Sequence, residues 1–435
     1  MSKTRFFGNL IKTNPTLPTA NSSSAYGTAT GIWTLEEAGA FRAAGDWPVP
    51  ASPPGAPTIT GVTGGNAQVV VAFNANADNG GLTVSSFTAT ASSGQTASGS
   101  SSPLTVTSLT NDSAVTFTVT ATNAAGTSSA SSASSSVTPA LASRGLIAGG
   151  SSTSGDRNII DYITVASTGN ATDFGDLTLA RYALAAAAST TRAIFGGGAT
   201  SNNSNVIDYV TIASTGNAND FGDLSAPVNG RNFLSAHSST TRGFFGGGSN
   251  SGSENADTID YVTIANTGNA TDFGNLTQAR TSLAAGASTT RGVFGGGSTT
   301  SAVVNTIDYI TIANTGNATD FGNIGGTTTQ HACLSNDTRA VFAGGKENGS
   351  TTDTMAYITI ASTGNTSDFG NLLADRRLPS GCASTTRGII AAGIASGIDG
   401  VIQYITIGST GNALDFGDLT DNRYSASATA TRGGA

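Results

Sequence analysis

The motif Tyr-Ile/Val-Thr returns six times, at Tyr162, Tyr209, Tyr261, Tyr309, Tyr357 and Tyr404, at intervals of 47 to 52 residues. A repeat of that length is one supersecondary unit that cannot bury its apolar face alone, so neighbouring copies must stack. Each unit holds a small apolar run such as Ser282 to Ala287, a Thr-Arg turn, a segment such as Arg291 to Gly297, and a polar loop of variable length. A Tyr-bearing run such as Ile307 to Ile312, a Thr-Gly-Asn turn and an Asp-Phe-Gly segment such as Asp320 to Ile324 complete it.

Four short β-rich segments in about 48 residues have the dimension of a β-propeller blade. In Ile307 to Ile312 both parities are apolar, as expected of a strand covered on its two faces. The glycine triplets, Gly196 to Gly198 for example, end the second segment where a Cβ would crowd or φ must be positive. The order Phe245-Gly246-Gly247, Tyr261, Phe273 resembles the kelch family, with Phe where kelch repeats place Trp. That resemblance implies an all-β fold, a six-bladed propeller over 141–435. The first unit begins at Ser143 to Leu146 without a first strand, and Tyr424 to Thr431 is a first strand with no unit after it. The last strand is therefore expected to complete the first blade, which removes exposed edges.

Upstream, alternating runs at Gln68 to Phe73, Ser86 to Ala91, Leu104 to Leu109 and Val115 to Ala121 lie between Gly, Asn and Ser clusters, the pattern of a β-sandwich. With Phe73, Leu109 and the series Phe117, Val119, Ala121, Asn123, Gly126, residues 53–140 resemble a fibronectin type III domain, although Val115 replaces the corner tyrosine. Residues 1–52 differ. Thr34 and Glu37 have capping-box spacing and predict one short helix ended by Asp46-Trp47-Pro48, followed by a Pro-rich linker. So short a stretch cannot bury Trp33 and Trp47 unaided, and Trp33, Leu35, Phe41 and Trp47 are the anchoring candidates. Gly31-Ile32-Trp33-Thr34-Leu35 with Trp47-Pro48 is similar to an N-terminal segment of tailed-bacteriophage virion proteins. That resemblance implies a virion location, synthesis in the host cytoplasm, contact with other virion proteins through residues 1–50, and a homo-oligomer in the particle.

Composition narrows the function. The net charge is -8, and lysine occurs only at positions 3, 12 and 346. No basic stripe can neutralise a phosphate backbone, so nucleic acid is not an expected partner. No apolar run reaches membrane-spanning length. Asp-Phe-Gly occurs in every unit, Asp173-Phe174-Gly175 among them, yet a kinase needs a lysine-bearing strand and a His-Arg-Asp loop. Its Phe is read as packing. His237 and His331 stand in different units and do not make a copper site. Neither a catalytic residue, a metal site nor a cofactor is expected. Arg144, Arg192, Arg242, Arg291, Arg339 and Arg387 precede each second strand and are read as ties between blades, through pairs with the repeated aspartates.

Loops after the glycine run vary between units, as do those after the fourth segment, and in an up-and-down blade the two sets emerge on one side. That side is the expected ligand face, with Asn202, Asn203, Asn250, Glu254, Asp257, Lys346, Glu347 and Asn348 as candidates for a host-surface glycan or protein. The reading is a phage tail fibre or receptor-binding appendage. Its alternatives are a capsid decoration or tail connector of purely structural role and, third, a polysaccharide-degrading propeller.

Overall fold

The computed structural model describes residues 51–111, 113–139, 143–225, 230–250 and 254–431. The helix expected near Thr34 and the anchoring candidates Trp33, Leu35, Phe41 and Trp47 lie outside the described residues. Among the described residues the fold is all-β, with many small antiparallel sheets. The chain divides into two compact units, Met1–Leu141 and Ala142–Ala435.

Among its described residues the first unit holds two sheets. Thr58–Gly65, Gln68–Asn74 and Leu104–Thr107 form one; Thr96–Gly99, Ser86–Ala91, Phe117–Asn123 and Gly126–Thr127 form the other. Strict alternation in Gln68–Asn74 and Phe117–Asn123 buries every second residue, which is what a period of two requires when one face is covered. Val69, Val71, Phe73, Phe87, Val106, Phe117 and Val119 thereby share one core. After the last strand, the Oγ atoms of Ser128, Ser131 and Ser134 accept from the N–H groups of Ala121, Val119 and Phe117. That serine-rich tract, which reads as loop, satisfies the edge of the second sheet.

Among its described residues the second unit holds six four-stranded antiparallel sheets, with two smaller sheets in its loops. In the second sheet Ala185–Ala188, Arg192–Gly196, Val206–Thr211 and Asn219–Asp223 lie in sequence order, and the third to sixth repeat this. The first sheet does not: its order is Thr172–Asp176, Ile159–Thr164, Arg144–Ala148, then Ser427–Ala430 from the far end of the sequence. Ser427 faces Ala148 and Ala430 faces Gly145.

Sheets pack face to face. One apolar cluster joins Leu146, Ile160 and Phe174 of the first sheet to Ala186, Phe195 and Val210 of the second. Corresponding clusters join each later sheet to the next, and a further one joins Ile389, Ile402 and Phe416 of the sixth to Ile147 and Ile163 of the first. Small residues in the first strands, four alanines in Ala185–Ala188, let these strands crowd together, since bulk there would overpack the contact. In the glycine run, Gly197 and Gly198 have φ of 70° and 98°, where a β-carbon is strained.

Each third strand shifts register against the fourth at one point, between Ile207 and Asp208 in the second sheet. Bulges of this kind re-aim a side chain. The aspartate there is fully buried.

Candidate functional site

The repeated side chains divide into three sets. Tyr162, Tyr209, Tyr261, Tyr309, Tyr357 and Tyr404 each meet the Phe of their own Asp-Phe-Gly edge to face, with centroids 5.8 to 6.1 Å apart, a favoured aromatic geometry. The Phe residues are buried. Next, Arg144, Arg192, Arg242, Arg291, Arg339 and Arg387 lie over those same Tyr rings at 4.4 to 5.1 Å. Each also donates from Nη1 to a carbonyl of the following sheet: Arg144 to Ile212, Arg192 to Ile264, Arg242 to Ile312, Arg291 to Ile360, Arg339 to Ile407 and Arg387 to Val165. They tie sheets together as expected, but by carbonyl capture instead of through aspartates, and the cation–π contact within their own sheet holds each guanidinium in place.

A different arginine set takes the aspartates. Arg181, Arg231, Arg280 and Arg423, all wholly buried, pair with Asp208, Asp260, Asp308 and Asp161. Arg376 pairs instead with Asp399, because Gln403 stands at the aspartate position. Burial pushes the Arg280 guanidinium below its ordinary pKa while Asp308 pulls it back up. Sequence reasoning missed this set because its flanking residues differ from unit to unit, although its spacing follows the tyrosines.

The variable loops converge on one end of the sheets. Ala199 bridges both Tyr182 and Asn203, and Arg231 N–H donates to Ser204, so the loops after the second and fourth strands meet. Of the candidates, Asn203 donates from Nδ2 to Ser249 at 2.8 Å, which brings it beside Asn250. Asn250 accepts on Oδ1 from Glu254 N–H and closes its own loop. Asn202 and Glu254 are exposed, whereas Asp257 is half-buried. Lys346 and Glu347 form a short strand between Thr328–Thr329 and Ser350–Thr351, and Asn348, at φ 48°, accepts from Thr327. Asn203, Asn250 and Asn348 thus serve the loops' own geometry, Glu347 is half-buried in its short strand, and Asn202 and Glu254 present the freer surface.

At the same end six residues of positive φ, Ala183, Phe233, Ser282, Gln330, Leu378 and Ser425, precede the six first strands. Their backbones bond in succession: Phe233 N–H to Ala183, Ser282 to Phe233, Gln330 to Ser282, Leu378 to Gln330, Ser425 to Leu378, and Ala183 to Ser425, at 2.8 to 3.2 Å. The succession returns to its starting residue. Beneath it is a cavity of about 120 Å³, to which all six repeats contribute, Leu184, Ser235, Ala285, His331, Pro379 and Ser427 among them. That space is large enough for several waters. Among the described residues no carboxylate or lysine lines it, so its chemistry suits small neutral polar groups.

His331, buried in that wall, has its pKa pushed down to about 4 by desolvation, opposed by the Gly295 carbonyl and reinforced by the Arg280 charge. The folded state therefore favours the neutral ring. Its contribution is complete above the unfolded value near 6.5 and declines as pH falls toward about 4, a loss of about 3 kcal/mol. Urea midpoints across that range should slope downward for the natural protein and more gently for His331→Gln; equal slopes would remove His331 from the account.

No group of three or more His, Cys, Asp or Glu able to hold a metal occurs among the described residues. Cys333 and Cys382 are buried, unpaired thiols. No helix among the described residues is long and apolar enough to cross a membrane. A scan against protein-family models and a search of the curated proteins both found no match.

Proposed function

We propose that the second unit is a six-bladed, kelch-like β-propeller closed by its last strand, and that the protein is a receptor-binding appendage of a phage virion, its first unit a fibronectin-like spacer. The returning succession of backbone bonds from Ala183 to Ser425 and back carries the propeller reading, because only a cyclic array lets the sixth copy bond the first. The asymmetry between ends carries the binding reading. At one end every sheet is tied to the next by the same bond: Gly216 to Phe174, Gly268 to Phe221, Gly316 to Phe273, Gly364 to Phe321, Gly411 to Phe369 and Gly169 to Phe416. The other end bears loops of differing length and polarity.

A shallow polar face of this kind binds single sugars weakly, and several copies on one particle would gain avidity of roughly 10² to 10⁴. The placement on a virion rests on the tryptophan-bearing segment near Trp33 and Trp47. Asn202→Ala combined with Glu254→Ala changes exposed side chains only. Particles carrying this pair should adsorb to host cells at least about tenfold more slowly, since lost contacts multiply across linked sites. Adsorption at the natural rate, with the protein present at natural copy number, would exclude this face from receptor binding.

A further inference from the structure

The fifth sheet breaks the pattern of buried arginines, and what replaces the pair is a cavity. Backbone bonds fix the correspondence. Arg181, Arg231, Arg280 and Arg376 donate N–H to Arg157, Ser204, Ala256 and Thr352, and their carbonyls accept from Gly150, Gly198, Gly248 and Gly345; Thr328 donates to Val304 and accepts from Gly297 in the same way. Position 328 is thus an arginine position that holds threonine. Its partner is also gone. Phe195 faces Asp208, Phe245 faces Asp260 and Phe294 faces Asp308, whereas Phe342 faces Ala356.

Between Thr328 and Ala356 lies a space of about 180 Å³, walled also by Phe342, Gly344, Thr354 and Thr352. In the third sheet Arg231 Nη1 donates to the carbonyls of Gly247 and Thr258, at 2.9 and 2.8 Å. In the fourth, Arg280 Nη1 donates to Gly296 and Thr306, both at 2.8 Å. The equivalent carbonyls here belong to Gly344 and Thr354, and among the described residues no side chain donates to either. By that correspondence the two acceptors stand where one guanidinium nitrogen is held in the third and fourth sheets.

A negative charge has been supplied from elsewhere. Two carboxylates, Glu347 and Asp368, line the space. Asp368 belongs to the Asp-Phe-Gly series and is exposed, which makes the space reachable from water. Glu347 is peculiar to this sheet: two residues after the corresponding glycine the other five carry Ser152, Thr200, Asn250, Thr299 and Ala395. The exchange of a buried aspartate for a glutamate at the rim suits a cation that enters and leaves.

We propose that the cleft between Thr328 and Ala356 binds an alkyl-guanidinium, the group an arginine side chain carries, through the Gly344 and Thr354 carbonyls and the Glu347 carboxylate. In the neighbouring sheets one nitrogen of the planar fork serves both carbonyls while the other takes the carboxylate, a division that the single point charge of an ammonium does not offer. The inference stands whether or not the protein belongs to a virion.

The test uses the full chain and blocked amino acids as probes. N-acetyl-L-arginine amide should bind saturably at one site, at least about tenfold more tightly than N-acetyl-L-lysine amide. Thr328→Arg with Ala356→Asp rebuilds the pair found in the neighbouring sheets and should abolish that binding while the protein keeps a cooperative melt. Should that variant not fold, Glu347→Gln removes charge at the rim alone and should weaken binding about tenfold. Free L-arginine gives the source: weaker binding than the blocked form points to an arginine within a polypeptide, and equal or tighter binding to a small molecule. Failure of the arginine probe to bind the natural protein at millimolar concentration, or binding that both variants leave intact, overturns the assignment.

Discussion

Ending the chain at Arg423 should abolish the cooperative unfolding transition of the second unit at its natural temperature and leave a species that aggregates on mild warming. The missing segment contains Ser427–Ala430, the strand that pairs with Arg144–Ala148, and Ser425, one of the six residues in the returning backbone succession. Its side chains are small, so little of the loss is apolar area. The dominant cost is backbone polar groups: four residue pairs lose their ladder, the Ala183 and Leu378 links to Ser425 break, and each buried bond contributes about 1 kcal/mol net. A total on the order of 5 kcal/mol is comparable with the whole stability of many domains. The strand Arg144–Ala148, buried over Gly145 to Ala148, then becomes an exposed apolar edge, which templates association. A synthetic peptide of residues 424–435 added in excess should restore the transition. Truncated protein that melts like the natural chain would show that the last strand is dispensable, and the cyclic arrangement would fail with it.

How much of this was legible beforehand follows from what the periodicity carries. Tyr209, Phe221 and the glycines around 197 recur with closely similar neighbours, so the strands and turns could be read directly from the spacing. The pairing of Ser427–Ala430 with the first sheet followed from phase, because the first unit lacks the strand that the last one has in surplus. The electrostatics were hidden. Arg192 and its counterparts follow Thr in five units and Ser143 in the first and read as partners for the repeated aspartates, but a ring face is invisible in a linear pattern. Arg181, Arg231, Arg280 and Arg423 sit in the segments that differ most between units, where polarity suggests a surface. The repeated Asp within Ile-Asp-Tyr was the available clue: a charge at the centre of a two-faced apolar strand is tolerated only when it is paired. Among the ligand-face residues, Asn203 and Asn348 read as binding groups by polarity alone, yet each closes a turn or a loop junction, a service Asn commonly performs.

The buried pairs lead to the second large effect. Asp308→Ala leaves the Arg280 guanidinium in a fully buried site whose desolvation already depresses its pKa, with Asp308 as the compensating charge. Breaking a buried pair by removal of one partner costs about 3–5 kcal/mol, because an uncompensated charge remains inside. Thr277, which donates its N–H and Oγ to Asp308, loses its acceptor as well. Arg280→Thr alone should cost nearly as much, since the carboxylate is then unpaired. The double variant Arg280→Thr with Asp308→Ala recreates the Thr328 and Ala356 combination that the fifth sheet already holds. It should therefore recover most of the loss, with a coupling energy of about 2–3 kcal/mol in a double-mutant cycle measured by urea unfolding. Strict additivity of the two single effects would mean that Arg280 and Asp308 are stabilised by their separate carbonyl and hydroxyl partners, and that the ion pair between them contributes nothing. The natural fifth sheet argues for coupling, because both members changed together there while Phe342, Gly344 and Thr354 kept their places around the space they left.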